Sequence, residues 1–201
     1  DVHVYEMAHR GGGRARSHDA SVGRLDNGQH LLIGAYTGCL DLMRTVGVDT
    51  ARALRRSTLV LRYPDGSGLQ LPQGSPALAF VRGVLVARHW PVLDRLALLS
   101  TALRWRMHRF ECAESATVDD LCKGLPAAVF RDLIEPLCVA ALNTPAKSAS
   151  ARVFLRVLKD ALFGGAGSSD LLLPRVPLSA LLAEPAARWL AGRGVALHWG
   201  H

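Results

Sequence analysis

No run of apolar residues in these 201 residues reaches the roughly 20 needed to cross a bilayer as a helix, because arginine, aspartate or histidine interrupts each one. A helical membrane span is excluded. Cysteine is sparse: Cys39, Cys112, Cys122 and Cys138 form no C-x-x-C and have no histidine at zinc spacing. That excludes a disulfide framework and a zinc centre, and leaves buried free thiols of the kind a reducing cytosol permits. Aromatics amount to 6% and no Lys/Arg block occurs, so nothing supports a base-stacking nucleic-acid surface. G-x-S-x-G, H-E-x-x-H and P-loop motifs are also missing, which removes the usual footholds for hydrolase and NTPase chemistry. No charged leader followed by an apolar run marks a signal peptide.

What is present suits one domain, or one domain with a small appendage. Hydrophobic residues make up 49% and charged residues 20%, enough to bury a core and too apolar for disorder. Lys+Arg number 24 against 17 Asp+Glu, a net charge of +7, and arginine greatly outnumbers lysine. That excess fits an anionic lipid surface or a GC-rich genome as well as it fits nucleic acid.

Along the chain, residues 2–6 read as a strand, residues 11–19 as a flexible basic turn, and residues 23–34 as a turn followed by a short apolar run. Leu40, Met43 and Val46 recur at threes and predict a helix that Gly47 ends. Residues 59–63 and 69–71 flank Pro64-Asp65-Gly66, which predicts a hairpin. Pro76 and Pro91 open two helices, and in the second Leu93, Leu96, Leu99, Leu103 and Met107 fall on one stripe. These arginine-flanked helices read as ordinary core, as the lining of a hydrocarbon channel, or as a face resting on anionic lipid. Thr117 is an N-cap for residues 118–123, and Pro126 and Pro136 mark two further short helices. A helix led by Thr144-Pro145 carries Val153, Phe154, Val157, Leu158, Ala161 and Leu162, and stops at Gly164-Gly165. Residues 171–173 read as a short extended piece, and Ser179 and Pro185 begin two short helices. Residues 195–199 alternate like a strand that rejoins the sheet beside the first one.

The chemistry-bearing residues cluster near the start. Glu6 ends the first strand, where a carboxylate can accept hydrogen bonds from ribose hydroxyls. Gly12 and Gly13 let a backbone approach a cofactor closely, and Arg14 can neutralise phosphate. Asp26-Asn27-Gly28-Gln29-His30 reads either as an Asx-type turn or as a cofactor-facing loop. His89, His108 and His198 stand alone in apolar or basic segments and read as packing or surface residues.

These stretches resemble the squalene-associated FAD-dependent desaturases, the hydroxysqualene dehydroxylases of hopanoid synthesis, within the flavin amine oxidase and phytoene desaturase superfamily. The resemblance rests on VYE with GGRARS, LDNGQHLLIGAY, PLCVAALNTP, SDLLLPRVPLSALL and PAARWL. It implies an α/β fold: an incomplete FAD/NAD(P)-binding Rossmann-like domain with a large helical substrate-domain insertion, helix-rich overall. The expected boundaries are 1–58 for the partial FAD-binding domain, 59–185 for the substrate-binding insertion with its hairpin, and 186–201 for the returning strand. FAD is the implied cofactor, with Glu6 at the adenosine ribose, Gly12, Gly13 and Arg14 at the pyrophosphate and flavin, and Gln29 and His30 near the isoalloxazine. His30 or Asp26 is the candidate acid, and no metal is implied.

The implied reaction is reductive removal of a hydroxyl from hydroxysqualene to give squalene. The alternatives are carotenoid-type desaturation, amine oxidation, or a non-catalytic lipid-binding helical module. The implied partner is a long-chain isoprenoid, with peripheral contact to an anionic membrane and no nucleic acid. The implied location is the cytoplasm, at the face of the inner membrane. Two departures qualify the match: Gly11 stands where the family usually has an apolar residue, and the chain holds no G-x-G-x-x-G. The 201-residue chain is therefore expected to be a truncated version that holds FAD weakly and is inactive alone.

Overall fold

Alternation along His3-Val4-Tyr5-Glu6 produces strand β1 (His3–Glu6), with Val4 and Glu6 half-buried and His3 and Tyr5 exposed. The last strand, β9 (Ala196–Trp199), pairs with it in parallel from His3↔Ala196 to Glu6↔Trp199. The final strand thus rejoins the first, as the sequence pattern predicts. The structure is a computed structural model that describes residues 1–28 and 30–201. These divide into two compact units, Asp1–Ser57 with Asp170–His201, and Thr58–Ser169.

The first unit is mixed α/β. After β1 comes an antiparallel hairpin of β2 (Ser17–Ala20) and β3 (Gly23–Asp26), paired from Ser17↔Asp26 to Ala20↔Gly23. Sequence reading puts a flexible turn and a loop here. The hairpin escapes it because seven of the eight strand residues are exposed, so no apolar alternation marks them. A second sheet has the order β4 (Leu32–Ile33), β8 (Leu171–Pro174), β5 (Leu54–Ser57), antiparallel throughout. Helix α1 (Thr37–Thr45) packs on it and closes with Val48 N–H donating to Met43 O at 2.9 Å, next to Gly47. The short helix α2 (Thr50–Ala53) is capped by Asp49, which accepts from the Ala51 and Arg52 N–H groups. Helices α9 (Leu178–Leu181) and α10 (Ala183–Ala191) follow β8. Leu40, Met43, Leu54, Leu172, Leu178 and Leu181 form the core of this unit. Residues 170–185, placed by sequence with the helical section, pack here because β8 is the central strand between β4 and β5.

The second unit is mostly helical. The expected hairpin forms from β6 (Val60–Arg62) and β7 (Gly68–Gln70). Helix α3 (Pro76–Val86) lies hard against β7: a Cβ on Gly83 would stand 2.8 Å from the Gln70 carbonyl oxygen. Helix α4 (Val92–Met107) buries Leu98, Thr101 and Trp105. The leucine stripe, for which burial in the core is the simplest of the three readings, points mostly outward, with Leu93 77% and Met107 70% exposed. Apolar residues occupy both faces of α4, so periodicity identifies the helix without identifying its buried side.

Helix α5 (Val118–Leu121) opens with the expected Thr117 cap, closed into a capping box by Asp120. Helix α6 (Ala127–Val129), a π-helical segment (Phe130–Ile134) and α7 (Glu135–Leu142) run on as one rod. The π segment has a cause in Pro136, which has no N–H to offer the Asp132 carbonyl. That carbonyl accepts the Tyr63 hydroxyl instead, at 2.9 Å. Helix α8 (Ala151–Phe163) begins after the Ser150 cap, later than Thr144-Pro145 suggests, and buries Phe154, Leu155 and Leu158. Two clusters make the core of this unit, one around Phe154, Cys122 and Cys138, the other around Trp90, Leu98 and Val84.

Candidate functional site

The carboxyl ends of a parallel strand pair are where α/β folds bind ligands, since the backbone there turns away and leaves N–H groups and a crevice. β1 and β9 end together in this way. Glu6 closes β1 with one carboxylate oxygen accepting the Ala8 N–H at 2.9 Å. Its backbone carbonyl accepts from Gly200 N–H at 2.9 Å and His201 N–H at 3.2 Å, which ties the two strand ends together. The side chain is thereby fixed at the rim with its second oxygen available.

The glycine turn follows. Gly12 has φ +110 and Gly13 φ +55, backbone that side-chain-bearing residues rarely adopt. A Cβ on Gly12 would meet the Ala15 carbonyl at 3.1 Å and Ala183 Cβ at 3.2 Å, whereas Gly13 faces open space. Gly12 is thus required by its surroundings and Gly13 offers bare backbone outward. At Gly11 a Cβ would touch only the Trp199 ring, at 3.5 Å, so the indole of β9 covers the place where an apolar residue was expected. Arg14 is exposed, and its carbonyl accepts from Asn27 Nδ2 at 3.3 Å.

Two cavities flank this turn. One of about 430 Å³ is lined by residues 8–10 and 16–19. The other, about 270 Å³, lies between residues 9–11, Trp199 and the Ala183, Glu184 and Ala187 side of α10. Arg16 lines the first, and its Nε is buried with no hydrogen-bond partner. A guanidinium N–H held in that state suits an anionic oxygen. Arg10 lines both cavities and is paired to Asp19 at 3.0 Å. Arg14 stands out in the sequence beside the glycine pair, whereas Arg16 and Arg10 carry no comparable signature. What signal there is lies in the second arginine of GGGRAR, which stands immediately before β2 and lines the cavity.

Asp26 does different work from the acid role suggested for it. Its Oδ1 accepts the Ser17 hydroxyl at 2.6 Å and the Leu178 N–H at 2.9 Å. Ser17 and Ser179 close the clasp reciprocally: Ser17 N–H donates to Ser179 Oγ at 2.8 Å, and Ser179 N–H to Ser17 Oγ at 3.1 Å. The Ser17 hydroxyl first, and then the Leu178 N–H, hold the Asp26 carboxyl below its ordinary value. A carboxylate so held accepts hydrogen bonds and does not give up a proton near neutrality. Its position joins the β2–β3 hairpin to the start of α9.

His30 keeps its Nδ1 buried without a hydrogen-bond partner. Gln29 lies outside the described residues. Among the described residues no group of three or more His, Cys, Asp or Glu side chains could hold a metal ion.

These features fit a dinucleotide cofactor. A carboxylate at a strand end is able to accept from ribose hydroxyls, the positive-φ pair Gly12 and Gly13 leaves backbone open to an extended anion, and a guanidinium with an unpartnered N–H stands beside the adjoining cavity.

Comparison with known proteins places this geometry in a family. The family described as flavin containing amine oxidoreductase matches residues 1–201. A hydroxysqualene dehydroxylase of Rhodopseudomonas palustris is 30% identical across all of this chain and 47% of its own length. Hydroxysqualene dehydroxylases of Sinorhizobium fredii and Zymomonas mobilis are 29% and 27% identical, over 100% and 96% of this chain. The chain therefore spans about half the length of the curated relatives it matches. Among solved structures, reduced UDP-galactopyranose mutase superposes with a TM-score of 0.49 at 14% identity, over 98% of this chain and 43% of that one.

Proposed function

From the premise that this chain belongs to the flavin containing amine oxidoreductase family, we propose that it is part of an FAD-dependent hydroxysqualene dehydroxylase. The reaction is reductive removal of a hydroxyl from a C30 isoprenoid to give squalene. The observation that carries this reading is the similarity to hydroxysqualene dehydroxylases along nearly the whole of this chain.

In this reading residues 1–57 and 170–201 belong to the FAD-binding domain, and 58–169 to a helical substrate-binding insertion. The rim oxygen of Glu6 accepts the ribose hydroxyls. Gly12 and Gly13 present bare backbone to the pyrophosphate, with Arg14 beside them. The Arg16 guanidinium, which lacks a partner at Nε, neutralises the same anion from the adjoining cavity. His30 lies toward the isoalloxazine. A reduced flavin held by these residues would provide hydride chemistry at the carbon that loses its hydroxyl. His30 is the better of the two candidate acids for the departing oxygen, since a proton delivered there releases water. Asp26 orients the loop that carries His30. The greasy substrate is met at the cytoplasmic face of the inner membrane.

Turnover tests this reading. The full-length protein, supplied with FAD and reductant, is offered hydroxysqualene, phytoene and simple amines, and squalene is the expected product from the first. Desaturation of phytoene or oxidation of an amine, with hydroxysqualene untouched, would replace it by the corresponding relative's chemistry. The 201-residue chain contains no G-x-G-x-x-G turn, so alone it is expected to carry FAD well below one equivalent by flavin absorbance.

A further inference from the structure

Helices of a folded core ordinarily turn their leucines inward. In the second unit two helices turn many outward. On α4, Leu93, Leu96, Leu103 and Met107 are exposed, while the opposite side of the same helix buries Leu98, Thr101 and Trp105. At 3.6 residues per turn Leu96, Leu103 and Met107 fall within a narrow sector, so the exposed residues form a stripe and not a scatter. On α3, Leu78, Val81 and Leu85 recur at three and four and are exposed as well. Arg95 Nη1 donates to the Leu85 carbonyl at 2.5 Å, which ties the last turn of α3 to the first turn of α4. The ends of α3 and α4 that carry Leu85 and Leu93 are therefore close together. An exposed apolar stripe on each of two joined helices marks an interaction site.

Charge says what kind of partner it fits. Residues 76–109 carry Arg82, Arg88, Arg95, Arg104, Arg106 and Arg109 against Asp94 alone. Most of the chain's net charge of +7 therefore falls on the stretch that exposes the leucines. An apolar stripe edged by guanidinium groups matches the boundary layer of an anionic bilayer, where leucine enters the acyl region and arginine meets phosphate. No helix among the described residues is long and apolar enough to cross a membrane, so the contact is one of lying on the surface.

We propose that the outward faces of α3 and α4 form a docking surface for an anionic phospholipid bilayer. This deepens the peripheral-membrane part of the reading above and does not depend on the substrate named there. Vesicle binding and turnover are separate readouts, so either can fail without the other.

The test is co-sedimentation of the chain with vesicles of phosphatidylcholine alone, and with vesicles in which about a third of the lipid is phosphatidylglycerol. The expected result is partition into the acidic vesicles, little into the neutral ones, and weakening as salt rises. Leu93→Glu with Leu103→Glu should reduce partition by at least about tenfold, because a charge replaces each inserted side chain. Their native side chains are 77% and 57% exposed, so far-UV circular dichroism should be unchanged. Should that variant misfold, Arg82→Gln with Arg88→Gln carries the test, with a loss on the order of tenfold confined to acidic vesicles. Absence of binding to acidic vesicles, equal binding to both compositions, or undiminished binding by a folded variant overturns the proposal. Concentration-dependent self-association that the leucine variant abolishes, without vesicle binding, overturns it in favour of a second copy of this chain.

Discussion

Ser17 is 1% exposed, and its hydroxyl both donates to Asp26 and accepts from the Ser179 N–H. Ser17→Ala leaves a buried N–H without a partner and frees the Asp26 carboxylate, and should cost about 1–3 kcal/mol in urea unfolding. The same clasp sets a pH dependence. Asp26 has a folded pKa below its ordinary value of about 4. Its contribution is therefore complete above that value and is lost as the pH falls through the lowered folded value. The wild-type chain should lose stability over that acidic window, and Asp26→Asn should flatten this part of the profile. Thiol chemistry gives an independent check on packing. Burial pushes the Cys122 thiol up to about 12 and also raises Cys138. Neither should react with a disulfide reagent at neutral pH until the chain is unfolded, when all four cysteines should titrate. At this scale the sequence disclosed Glu6 and the glycine pair, because strand ends and left-handed turns leave local signatures. It did not disclose the Ser17–Ser179 clasp, whose partners lie 162 residues apart and on no periodic pattern. Asp26 was visible as a turn residue while its partner, the Leu178 N–H, was not.

Elements were legible in proportion to their apolar periodicity. α1, α3, α4, α8 and the β6–β7 hairpin follow from spacing, proline and turn residues. The β2–β3 hairpin does not, since exposed strands carry no alternation to read. For α4 the helix was evident and its orientation was not, because leucine lies on both sides and tertiary packing chose between them. The rod from Ala127 to Leu142 shows one residue shaping an element. Pro136 removes a ladder hydrogen bond and Tyr63 takes over the freed carbonyl. Tyr63→Phe should therefore cost about 1 kcal/mol in denaturant unfolding, with helical content preserved. Gly83 shows the opposite constraint. Gly83→Ala puts a methyl group 2.8 Å from the Gln70 carbonyl, so helix and hairpin must separate. A lower thermal midpoint is expected, despite the better helix propensity of alanine.

At the scale of the whole molecule, the sequence pattern anticipated that the chain would end beside where it starts, and β9 does pair with β1. It did not show that residues 170–185 return to the first unit, because the partners of β8 are β4 and β5, far away in sequence and too short to stand out. That return has a further consequence. β5 and β8 are antiparallel neighbours, and Ser57 stands opposite Leu171. The two points where the chain leaves and re-enters the first unit are therefore a hairpin's width apart. In polymer terms the closure entropy of residues 58–169 is already met by their own packed unit. A short Asn-Gly turn joining Ser57 to Leu171 would close the same strand pair. The join is a natural seam, at which one helical module can be exchanged for another while the register of β4, β8 and β5 stays as it is.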